Sequence, residues 1–150
     1  MASMASVENF VSKKNIAIVG VSRAGKKFGN AINKELKKKG YNTYIVNPHA
    51  DNIDGQKSYS KLTSIPGEVE SVLISVPPAE TLNVVKDTKE AGIKNVWMQQ
   101  GAQSDEAIQF CEENKIDYVA KECILMFAEP VEGGHKFHRW IWKLFGKLPK

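Results

Sequence analysis

Residues 15–48 read NIAIVGVSRAGKKFGNAINKELKKKGYNTYIVNP, and this stretch constrains the fold more than any other. Residues 16–19 form a continuous apolar run, the pattern of a strand buried on both faces. Phe28, Ala31, Ile32 and Leu36 then recur at helical spacing, and Gly40 supplies a stop. A second strand is predicted at 43–46. Two strands joined through a helix pair in parallel by a right-handed crossover, so the stretch is the first βαβ unit of an α/β fold.

The rest of the chain continues the alternation. Residues 7–13 are predicted as a short helix leading into the first strand. Residues 47–67, rich in turn formers and weakly patterned, read as a loop. A third strand is expected at 69–76. Pro78 then suits the first position of a helix, where its missing N–H costs nothing. Leu82, Val85 and Thr88 line that helix and Gly92 ends it. A fourth strand follows at 95–98. Ser104 caps the next helix, with Asp105 and Glu106 favourable in its first turn, and a fifth strand is expected at 117–120. The expectation is one doubly wound, Rossmann-like α/β domain over residues 1–150 with a mostly parallel, five-stranded sheet. Residues 1–14 would be an N-terminal extension and 134–150 a basic C-terminal helix and tail. In that tail Phe137, Trp140, Ile141 and Leu144 share one helical face, suited to packing on the sheet or to a homo-oligomer or protein contact.

Composition narrows the class further. The chain is 42% hydrophobic and 25% charged, ordinary for a globular protein. No apolar run approaches the ~20 residues that span a bilayer, and the first residues lack the apolar core of a signal peptide. Cytoplasmic residence without membrane contact is therefore expected. Cys111 and Cys123 have neither the number nor the spacing of a disulfide framework or zinc site. Cys111 falls on the apolar side of its helix, with Ala107 and Ile108. The net charge of +4 admits an anionic partner, but no nucleic-acid-binding motif accompanies it.

The turn GVSRAGKKFG carries the chemistry. In open parallel sheets ligands bind beyond the carboxyl ends of the strands, where strand order reverses. The first turn lies there, and its helix, expected to begin near Gly29, directs N–H groups and the positive end of its dipole outward. Gly20 lets the chain leave the strand sharply, and Gly29 permits close approach of helix and backbone. The turn's other residues, Val21, Ser22, Arg23, Lys26 and Lys27, add backbone donors, a hydroxyl and positive charge, a set that suits a diphosphate. The spacing is neither GxGxxG nor a P-loop, since Gly25 is followed by Lys26 and Lys27. An NAD site would place an acid at the end of the second strand. Here Asn47, Pro48 and His49 stand there, which suits a phosphorylated ribose, whether in NADP or in coenzyme A.

Taken in order, IVGVSRAGKKFG, YIVNP, IDGQKSYSKLTSIP, VLISVPP, VWMQQGAQSDEA and ECILMF resemble the small stand-alone CoA-binding proteins. These are similar to the N-terminal CoA-binding domain of the succinyl-CoA synthetase α subunit. The resemblance covers residues 15–123 or so. It implies coenzyme A or an acyl-CoA as ligand, with the diphosphate at residues 21–27. Asn47, Pro48 and His49 would lie near the adenosine and its 3′-phosphate. Val76, Pro77 and Pro78 would pack on adenine or ribose. Gln99, Gln100 and Gly101 would border the pantetheine arm, with Cys123 near its thiol end. The ligase's phosphorylated histidine sits on a further domain that this sequence lacks. His49, His135 and His138 have no acid partner in a catalytic arrangement, and no nucleophile–base pair stands out. The expectation is a binding module without catalysis of its own. Its rivals are an NADP-linked oxidoreductase and an interaction protein with a vestigial nucleotide site.

Overall fold

The computed structural model describes residues 3–25 and 27–128. Lys26 and the C-terminal segment predicted as a basic aromatic helix lie outside those residues. At the centre is β1 (Asn15–Val19), paired in parallel with β2 (Asn42–Val46) on one side and β5 (Ser71–Ile74) on the other. Beyond β5 lie β6 (Asn95–Gln99) and β7 (Asp117–Glu122), both parallel. Beyond β2 lie β4 (Gln56–Tyr59), also parallel, and β3 (Asn52–Ile53), antiparallel to β4. The full order is β3-β4-β2-β1-β5-β6-β7.

The sheet thus has seven strands where patterning predicts five. The two extra strands lie in the stretch read as a loop. They are two and four residues long, too short for alternation to register. A local signal does exist. Asp54 and Gly55 sit at φ 51° and 79° between the paired Ile53 and Gln56, the geometry of a two-residue Asp-Gly hairpin.

Alternation along the strands sends side chains to two separate cores. Ile16, Ile18, Leu73, Trp97 and Val119 point to one face, where α1 (Met4–Ser12) and α2 (Phe28–Lys38) pack. Ala17, Val72, Ile74, Val96, Met98 and Ala120 point to the other, toward α3 (Pro78–Glu90) and α4 (Asp105–Glu113). The first face is anchored by Trp97, whose ring centroid lies 5.2 Å from that of Phe10 and 5.8 Å from that of Phe127. Its indole N–H donates to the Glu122 carbonyl at 3.0 Å, so the large ring is buried with its polar atom satisfied. Val7 and Phe10 are buried in the same core, which makes the N-terminal helix an integral layer.

The helix ends follow the sequence signals. Pro78 opens α3, and Ser104 accepts from the Ala107 N–H at 3.2 Å to cap α4. Gly92 follows α3 at φ 77°. One difference concerns the inner face of α3, which buries Thr81, Val85 and Thr88 while Leu82 is only half-buried. Thr81 satisfies its hydroxyl internally by donating to the Ala102 carbonyl at 2.5 Å.

The cysteines differ as their positions predict. Cys111 is fully buried, and that burial, followed by the adjacent Glu112 charge, pushes its thiol up to about 12. Cys123 is half-buried. An aromatic disulfide reagent at neutral pH should therefore label Cys123 in the folded protein and reach Cys111 only on unfolding. Comparable labelling rates for both thiols would contradict this packing of α4.

Candidate functional site

At the end of β1 the chain turns at Gly20, φ 124°. A Cβ there would lie 2.1 Å from the Ser75 carbonyl oxygen, so the turn is pressed against the backbone just beyond β5. Gly29, in the first turn of α2, meets the same constriction from the opposite side: its Cβ would stand 2.3 Å from the Gly20 carbonyl oxygen. The two glycines let three backbone segments converge where side chains could not fit.

Asn30 holds the turn between them. It is 8% exposed, and its side-chain amide donates to the Ser22 carbonyl at 3.0 Å while its Oδ1 accepts from the Ser22 N–H at 2.8 Å. The Ser22 hydroxyl accepts from the Ala24 N–H, and the Gly25 N–H donates to the Ser22 carbonyl, both at 3.1 Å. These donors are spent on holding the loop. Among the described residues, the N–H groups of Arg23, Lys27, Phe28 and Gly29 have no hydrogen-bond partner. They sit where the positive end of the α2 dipole emerges, beside the exposed Arg23 and Lys27 side chains.

Asn47 ties this turn to the end of β2. Its side-chain amide donates to the Val21 carbonyl at 3.0 Å, and its Oδ1 accepts from the His49 N–H at 2.8 Å. Arg23 reaches the same loop, its Nη1 donating to the His49 carbonyl at 3.4 Å. Asn47 is thus a brace between the two rims of the site, and its amide is already occupied.

The rims enclose an open cleft of about 900 Å³ at the carboxyl ends of β1, β2 and β5. Strand order reverses at β1, whose neighbours β2 and β5 are reached by successive crossovers in opposite directions, so the cleft occupies the switch point of the sheet. Of the residues singled out in the sequence, Gly20, Val21, Ser22, Arg23, Lys27, Asn47, Pro48, His49, Val76 and Pro77 line it. Pro78, Gln99, Gln100, Gly101 and Cys123 do not. Pro78 begins α3 and turns away with the helix. Gln99 is 2% exposed, donates to the Cys123 Sγ at 3.0 Å and accepts from the Ile124 N–H at 3.0 Å. That pair joins the ends of β6 and β7, further along the carboxyl edge of the same sheet.

Two parts of the wall were not anticipated. Lys61 and Leu62 reach the cleft from the segment after β4, which carries no periodic signal. Glu80, Asn83, Val84 and Asp87 line it from α3. Their spacing, i, i+3, i+4 and i+7, is a legible helical stripe beside the apolar one on the inner face of the same helix. The cleft carries both signs of charge: Arg23 and Lys27 come from the turn and Lys61 from the segment after β4, while Glu80 and Asp87 lie along α3. Val46, Leu62, Val76 and Val84 supply apolar surface.

Comparison with known proteins points to one group. Residues 14–129 match the family model described as CoA binding domain. The acetate–CoA ligase [ADP-forming] II subunit alpha of Pyrococcus furiosus is 33% identical over 91 residues, covering 60% of this chain and 20% of the ligase subunit. This chain therefore spans about a fifth of that relative's length. Uncharacterized protein YneT of Bacillus subtilis is 28% identical over 123 residues, covering 81% of this chain and 91% of that protein. Among solved structures, a conserved hypothetical protein from Pyrococcus furiosus superposes with a TM-score of 0.71 at 39% identity, covering 75% of this chain and 97% of that one.

Proposed function

Because the chain belongs to the CoA-binding domain family, we propose that it binds coenzyme A or an acyl-CoA in the cleft at the switch point, without catalysis of its own. The observation that carries this reading is the turn at residues 20–29, where unpartnered N–H groups, a helix N-terminus and two exposed cations converge on one wall of a 900 Å³ cleft. The diphosphate of the ligand sits against that turn. The 3′-phosphate lies toward His49 and Lys61, which border the same rim. Adenine packs on Val46, Leu62, Val76 and Val84, and the acids of α3 keep phosphates out of that half by repulsion. The pantetheine arm runs along the carboxyl edge of the sheet toward Gln99, Gly101 and Cys123, which explains why those residues stand outside the adenosine cleft. The absence of an acid where β2 ends fits a phosphorylated ribose better than the free ribose of NAD.

Chemistry on the acyl group, where it occurs, is assigned to a partner protein. Among the described residues no helix is long and apolar enough to cross a membrane. Calorimetric titration with CoA, NADP and NAD tests the proposal. Saturable one-to-one binding of CoA with neither dinucleotide competing is the expected result. Binding of NADP in preference to CoA would overturn it in favour of a redox role, and binding of none would leave the cleft without a nucleotide function.

A further inference from the structure

Phe28 is the single large hydrophobic side chain exposed among the described residues, at 51%. It opens α2, and its own N–H is one of the unpartnered donors of the turn. An isolated exposed apolar residue is ordinary on a protein surface. The surroundings of α2 show that Phe28 is not isolated. Lys37, nine residues later, donates to the Gln56 Oε1 of the β3–β4 hairpin at 3.3 Å. At 3.6 residues per turn Phe28 projects about 180° from Lys37, on the flank away from the hairpin. Ile32 and Leu36 turn the inner face of the helix into the core. The short 3-10 turn at Ile124–Met126 also packs against α2. With the hairpin on one flank and the sheet beneath, that turn meets the helix on the Phe28 side. Ile124 and Phe127 are buried there, while Leu125 and Met126 are only half-buried.

This apolar strip lies between the two places that the ligand must join. At one end is the turn at residues 20–29. At the other is Cys123, which directly precedes Ile124 and accepts the Gln99 hydrogen bond. Strand order places the ends of β5, β6 and β7 in succession beyond β1 along the same edge. Phe28 does not line the cleft assigned to adenosine, so the nucleotide half of the ligand makes no use of it.

We propose that Phe28, continued by Leu125 and Met126, is the apolar bed of the pantetheine arm, and that Phe28 makes the site prefer coenzyme A to ligands sharing only its nucleotide half. The inference rests on the coenzyme A reading above. The dimethyl group that follows the diphosphate packs on the Phe28 ring, and the methylenes beyond it cross Leu125 and Met126 toward Cys123. NADP places a ribose and a charged ring at that point and gains little from the same surface.

The test is calorimetric titration of the full chain and of F28A with coenzyme A and with adenosine 3′-phosphate 5′-diphosphate, which lacks pantetheine. Because Phe28 is exposed, F28A should keep the parent's Tm. It should weaken coenzyme A by about tenfold, as expected for re-exposing half of a phenylalanine side chain. The bisphosphorylated nucleotide should bind F28A and the parent alike, and F28L should recover most of the loss. Unchanged coenzyme A affinity in F28A would overturn this inference and leave the coenzyme A reading standing. So would an equal loss for both ligands, which would make Phe28 a support of the turn, or an F28L no better than F28A. A parent that binds the bisphosphorylated nucleotide but gains nothing from pantetheine would overturn it too, and one that binds neither would overturn both readings.

Discussion

Gly29→Ala is expected to destabilise the protein by about 3 kcal/mol or more and to abolish ligand binding in the cleft. Helix propensity alone predicts the opposite sign, since alanine inside a helix is favoured over glycine by about 1 kcal/mol. Sterics decides the outcome. The new methyl would stand 2.3 Å from the Gly20 carbonyl oxygen and 2.8 Å from its carbon, and neither is the end of a flexible side chain that could move aside. Relief requires α2 to shift away from β1, which opens the core around Ile32 and Leu36 and pulls Asn30 off Ser22. At this chain length the loss corresponds to a fall in Tm of about 6–12 °C by calorimetry. Gly92→Ala is the control. There the new side chain sits at positive φ, 77°, with no atom within 4 Å of the new Cβ, so only the conformational cost of about 1 kcal/mol remains. If the two variants melted together, the close approach of α2 to the turn would not be the constraint described above.

The second large effect concerns charge. Lys27→Glu should weaken coenzyme A by about 30-fold, since it removes one attraction to the diphosphate and introduces one repulsion, together about 2 kcal/mol. Dephospho-CoA, which keeps the diphosphate, should lose affinity equally. Pantetheine, which has no phosphate, should bind the variant as it binds the parent. Lys27 is exposed, so the fold should tolerate the change and the loss should shrink at high salt. A loss shared equally by pantetheine would place the diphosphate elsewhere, and no loss for any ligand would remove Lys27 from the site.

The two glycines and the lysine are legible in sequence for different reasons. Gly20 and Gly29 bracket a turn between a buried strand and an amphipathic helix, where only a few backbone geometries connect the elements. Cations beside a helix N-terminus suggest an anion before any coordinates exist. Asn30 carried no such signal. A polar residue in the first turn of a helix is ordinary, and only its two bonds to the backbone of Ser22 reveal it as the clamp on the loop. Asn47, singled out in the sequence, lines the cleft, but its task as a brace carried no signal, because its partners, Val21 and His49, are set by the meeting of two loops.

The same division runs through the whole molecule. Local order along the chain determined the βα alternation, the parallel pairing, the helix caps at Pro78 and Ser104 and the place of the glycine-bracketed turn after β1, because each depends on neighbours within a few residues. Tertiary structure alone decided the rest: the hairpin that widens the sheet to seven strands, the arrival of Lys61 and Leu62 from an unpatterned segment, the acidic stripe of α3 across the cleft, and the pairing of Gln99 with Cys123 away from it. Those features rest on contacts between residues tens of positions apart, and no periodicity encodes a distance that only the packing of layers creates.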